Sequence, residues 1–246
     1  MSATAQFQFT VSEATALADS CSRLRDVSPD YPRVYAVATM AHQGKRRWWP
    51  IASCAGGGEP AELQGHRVGQ MYERMLDDLH SPDAAAIQVA SALVHAVVGR
   101  VAALVVLEGR AWDPGVDNLW IHMDSDSGID WAGVVDDTLR VLPDDGLAGS
   151  RDVVTLPCER ALLVWTAHRC VTSLSAIRCA LDGFASVDQL RLGSLVADAV
   201  LGVTTRVPIL AGSSQSVASR RGQGLLDAFE AAGVPVRTRA MLAHAC

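Results

Sequence analysis

The chain has 246 residues, with 21 Lys and Arg against 27 Asp and Glu, for a net charge of −6. Apolar residues make up 49% and charged residues 20%, which excludes a disordered or low-complexity chain. The acidic balance argues against non-specific nucleic-acid binding and against a polybasic membrane-surface protein, since both need clustered positive charge.

Lys45 is the only lysine and Asn118 the only asparagine. That bias fits a GC-rich bacterial genome, so individual arginines are not each read as anion ligands. The opening stretch MSATAQFQFTVSEA has no cationic start and no apolar run, so no secretory signal is expected. The expected location is the cytoplasm, with reduced cysteines at 21, 54, 158, 170, 179 and 246. No C-x-x-C occurs, and the cysteine spacings match no zinc or cluster pattern.

Thr10 and Glu13 form a capping-box pattern ahead of Val11, Ala14, Leu17, Ala18 and Leu24, which predicts a helix over 11–25. Val34 to Ala38 is β-rich and short, and predicts a strand. Gly56 to Gly58 reads as a loop, with neither a phosphate-loop nor a dinucleotide-binding pattern around it. Leu63, Val68, Met71, Tyr72, Met75, Leu76 and Leu79 recur on one helical face. Ser81-Pro82-Asp83 then stops one helix and starts another. Residues 84–107 are mostly apolar, which raises a membrane span. Arg100 near the middle of a span costs roughly 2.5–3.5 kcal/mol, so a long buried helix is expected, kinked at Gly99. The Val-rich end, 101–107, reads equally as a strand.

Asn118 to Met123 and Ile129 to Val134 predict a β-hairpin with a five-residue loop. Residues 143–150 form a polar loop and the best candidate boundary, which divides the chain into 1–145 and 150–246 unless it is one continuous domain. A short strand follows near 153–157. Helices are predicted from Pro157 to about 181, from Val187 to about 203, and from Ser213 or Ser214 to Ala232. The expected class is α+β, mostly helical, with a small antiparallel sheet or hairpin.

Chemistry-bearing motifs are sparse. The seven histidines form no HxH, HxxxH or HExxH. Asp124, Asp126 and Asp130 suggest a calcium loop, but Val135 stands where its last ligand is needed, so a solvated hairpin turn is expected. No nucleophile motif is present. The most loaded segment is Lys45-Arg46-Arg47-Trp48-Trp49, where cations and indoles can grip an anionic or aromatic ligand. The competing reading packs the tryptophans inward. Trp120 and Trp131 lie on the hairpin, where they can share a face.

In order and spacing, three helical stretches carry a likeness. They are Ala92 to Leu104 leading on to Trp120, then Leu190 to Val200, then Leu225 to Pro235. In these the chain resembles the FhuF-type ferric iron (siderophore) reductases. That family's signature is C-C-x10-C-x2-C at the C-terminus, whose thiolates hold a [2Fe–2S] cluster that reduces ferric siderophores. This sequence has Cys246 alone at that place. The resemblance therefore implies no cluster in the chain as given, and Cys246 as a ligand only if the motif continues beyond it. It implies a protein of siderophore-iron utilisation, with a ferric siderophore and an electron-donor protein as partners. A redox-inactive binder of such a chelate, using Arg46, Arg47, Trp48, Trp49, Trp120 and Trp131, and an interaction protein without a small ligand are the alternatives.

Overall fold

In the computed structural model, residues 15–44, 46–55, 66–182 and 187–237 are described. The predicted Thr10–Glu13 cap, the glycine run at 56–58, the first residues of the second helix and Cys246 lie outside them.

Helix α1 (Ala16–Val27) starts at Thr15, whose hydroxyl accepts from the Ala18 N–H at 3.2 Å. Leu17, Cys21 and Leu24 then fall on one buried face. Helix α2 (His66–Leu79) follows, and Ser81 caps the next helix with Pro82 at its first position. That helix, α3, runs unbroken over Pro82–Glu108. The ambiguous 101–107 segment is therefore helical, closed by Gly109 in the left-handed region at φ 70°. Where a kink is expected at Gly99, the helix carries one π turn, His95–Gly99, in which the hydrogen-bond ladder widens by a residue.

The hairpin forms as expected from β3 (Leu119–Met123) and β4 (Ile129–Val134). The Asp124 carboxylate accepts the N–H of Asp126 and of Gly128, so it braces the turn. Two short strands complete a sheet in the order β1-β4-β3-β2. The strand expected at 34–38 is reduced to β1 (Ala38–Thr39), because the carbonyls before it are held by side chains of α3 instead. Strand β2 (Trp48–Pro50) carried no alternation long enough to read. The small sheet is mixed, not wholly antiparallel: β1 runs parallel to β4. A second pair, β5 (Leu139–Val141) and β6 (Val153–Thr155), is also parallel.

Helices α4 (Glu159–Leu181), α5 (Gln189–Leu210) and α6 (Gln215–Ala231) follow. Pro208 sits inside the last turn of α5, beyond the expected end near 203. Helix α3 packs against α2, α4, α5 and α6, and its π turn touches β4. One apolar core runs from Leu17 to Val236, and residues of the proposed boundary loop, Leu147 and Ala148, pack against it. Among the described residues two helices, α3 and α5, are long and apolar enough to cross a membrane; α3 is 83% buried in protein over its apolar window and α5 50%.

Candidate aromatic ligand site

Consecutive residues of a strand point to opposite faces. Trp48 and Trp49 are therefore separated by the strand that carries them. Strand β2 aligns Trp48 with His122, Trp49 with Ile121 and Pro50 with Trp120. Across the hairpin, His122 pairs with Trp131 and Trp120 with Gly133. Trp48, His122 and Trp131 thus form one row on the outer face, and Pro50, Trp120 and Gly133 the next. Trp49 joins Leu119, Ile121, Ala132 and Val134 on the inner face, in the core. It is removed from the ligand set that the sequence suggested.

The outer rings are in contact. Trp48 lies 5.1 Å from the His122 ring at 59° and 5.9 Å from Trp131 at 48°. Gly133 makes this possible: a Cβ there would meet the Trp48 ring at 2.9 Å and the Met40 sulfur at 2.7 Å. Trp120 is half-buried one row along. Arg46 and Arg47 are exposed in the turn that enters β2, and no ion pair involves either among the described residues. Arg47 has φ 65°, and its carbonyl accepts the Met123 N–H.

The hairpin ladder shifts register between His122 and Met123. This bulge leaves Asp130 as an extra residue beside Trp131, so a carboxylate and an indole both lie opposite one imidazole. Asp130 Oδ1 lies 2.5 Å from His122 Nδ1, and its Oδ2 accepts from Arg33 at 3.0 Å. An ionised carboxylate only accepts, so the proton of this bond sits on Nδ1. Arg33 also stacks over Trp131, its guanidinium carbon 4.5 Å from the ring centroid.

The segment that carries Arg33 is clamped from below by α3. His95 Nε2 donates to the Val34 carbonyl at 3.0 Å. Arg100 Nη1 donates to the carbonyls of Arg33 and Ala36. Burial, with the Arg100 charge, holds the His95 pKa below its usual value, and burial pulls Arg100 down to about 10. A cavity of about 420 Å³ opens between this clamp and the hairpin, lined among others by Tyr31, Arg33, His95, Arg100 and Ile129.

The sequence reading put Trp120 and Trp131 on one face, and the pairing of β2 with β3 adds Trp48 to it. It missed Arg33, His95, Arg100, His122 and Asp130. Asp130 was read as part of a solvated turn; the bulge that redirects it leaves no mark in residue types.

The five cysteines among the described residues do not come together as cluster ligands. Burial pushes the Cys21 thiol up to about 11 and the Cys54 thiol up to about 12, and it raises Cys170 as well. Cys158 and Cys179 are exposed at opposite parts of α4, twenty-one positions apart. Among the described residues no three His, Cys, Asp or Glu side chains converge as metal ligands. Comparison with protein-family models, with curated proteins and with solved structures returns no match.

Proposed function

We propose that this is a cytoplasmic ligand-binding protein of siderophore-iron handling that holds a ferric chelate on the outer face of its sheet without reducing it. One observation carries the reading: the half-buried Trp131 indole, the His122 imidazole and the stacked Arg33 guanidinium lie together over the buried Trp48 ring on β2, β3 and β4. Flat unsaturated chelating groups stack on indoles, and their oxygens accept from guanidinium N–H groups. Arg46 and Arg47 at the rim supply positive charge for an anionic complex. The resemblance to ferric-siderophore reductases gives the ligand class. The reductase activity and the electron-donor partner that the resemblance implies are left out of the proposal, because the aromatic row carries binding alone.

Tryptophan fluorescence tests it. Titration with ferric hydroxamate and ferric catecholate complexes should quench saturably at micromolar ligand. Trp131→Phe should weaken the binding about tenfold, the loss of roughly 1.4 kcal/mol of stacking and cation–π contact. Equal quenching of free tryptophan and of the protein, with no saturation, refutes the reading. A redox-active [2Fe–2S] chromophore in the purified full-length protein refutes its non-reducing part.

A further inference from the structure

Arg100 is 98% buried, and it has no carboxylate within ion-pair distance among the described residues. A buried charge without an ionic partner is costly, so its hydrogen bonds deserve a full account. Nη1 is saturated by the carbonyls of Arg33 and Ala36. Nη2 reaches only the Asp130 carbonyl, at a long 3.5 Å. Nε has no partner at all. The two poorly served nitrogens are neighbours: Nε and Nη2 form the side-on edge of the guanidinium, whose parallel N–H groups match a carboxylate bidentately.

This edge belongs to a residue that lines the cavity of about 420 Å³. The nearest carboxylate, Asp130, is already engaged by Arg33 and His122. The rest of the lining is a mouth of Tyr31 and Pro32 and a wall of Val34 and Ile129, which is apolar and suited to a hydrocarbon or aromatic body. Asp30 stands exposed on the rim and disfavours a ligand with a second negative charge there. His95 is kept neutral, and it is committed through Nε2 to the Val34 carbonyl.

We infer that this cavity is a binding site for a small organic monocarboxylate, whose carboxylate takes the Nε–Nη2 edge of Arg100 while its apolar body lies against Tyr31, Pro32 and Ile129. The cavity shares Arg33 and Asp130 with the aromatic row, and Arg100 and His95 of α3, which the chelate reading does not use, set it apart. Binding requires the segment 30–34 to ease outward, since Nε is closed to solvent in this structure.

The test is NMR of the arginine Nε–Hε groups in the full chain. The Arg100 cross-peak is assigned by its loss in Arg100→Lys. Benzoate should move that peak saturably at millimolar concentration, and benzamide, its uncharged analogue, should not. Tyr31→Asp, at an exposed mouth residue, should weaken benzoate binding several-fold, and it keeps the inference testable if Arg100→Lys does not fold, the peak then being assigned through its neighbours. An unmoved peak overturns the inference, as does an equal response to benzamide or to chloride.

Discussion

Gly99→Ala in the π turn gives a sharp test of how α3 is built. A Cβ at residue 99 would stand 2.9 Å from His95 Cε1 and 3.1 Å from Cγ, and nearer still to Nδ1. The ring cannot simply swing away, because its Nε2 is bonded to the Val34 carbonyl. Overpacking of this kind costs about 1–3 kcal/mol. Displacing the ring also removes a hydrogen bond worth about 1 kcal/mol. Against this, Ala is favoured over Gly in a helix by about 1 kcal/mol. The net expectation is a loss of about 1–3 kcal/mol in the natural background. With His95→Ala the obstacle is gone, and the same Gly99→Ala change should be neutral or stabilising by up to about 1 kcal/mol. Urea unfolding of the four proteins in this cycle should therefore give a coupling of about 2 kcal/mol. Additive effects, or a stabilised single Gly99→Ala variant, would refute the packing argument.

Three further outcomes follow from buried titratable and charged groups. Arg169 bonds the nearly buried Asp113 at 2.7 Å and Asp117 at 2.6 Å, which ties α4 to the loop before β3; Arg169→Ala should cost about 3 kcal/mol in chemical unfolding, and a loss below about 1 kcal/mol would show the pair to be dispensable. Burial lowers the His95 pKa from 6.5, so the unfolded chain binds the extra proton; stability is complete above 6.5 and drains as pH falls below it. The urea midpoint of His95→Gln should lose that upper part of the pH dependence. A midpoint with the same pH slope in both proteins would sink the assignment. Asp145 adds a later loss at lower pH: burial works to raise its pKa, but the Arg110 bonds and the Leu147 N–H together pull it below the usual range.

The elements long enough to show a period were legible in the sequence. Helices α3 to α6 and the β3–β4 hairpin lie close to where apolar spacing and turn residues put them, because burial on one face dictates residue type there. The losses came where structure rests on backbone geometry or on partners distant in sequence. Strand β2 is three residues long and ends in proline, so it offered no alternation. Had it been seen, the separation of Trp48 from Trp49 would have followed at once. The π turn widens a hydrogen-bond ladder without changing the apolar pattern, and only Gly99 hinted at it. The site residues Arg33, Trp48, His122 and Asp130 come from four separate segments, and no local motif joins them.

The burial of α3 has a consequence for synthesis. Its 27 residues reach a mean hydropathy of 2.1 over the apolar window, yet much of what covers them, α4, α5 and α6, is encoded after residue 158. A nascent chain must hold this helix without its cover while the ribosome adds over a hundred more residues, several seconds at about 5–20 residues per second. During that interval the segment presents itself to chaperones and membranes as an unprotected greasy rod. The cover that α4, α5 and α6 provide is available only once they have been made.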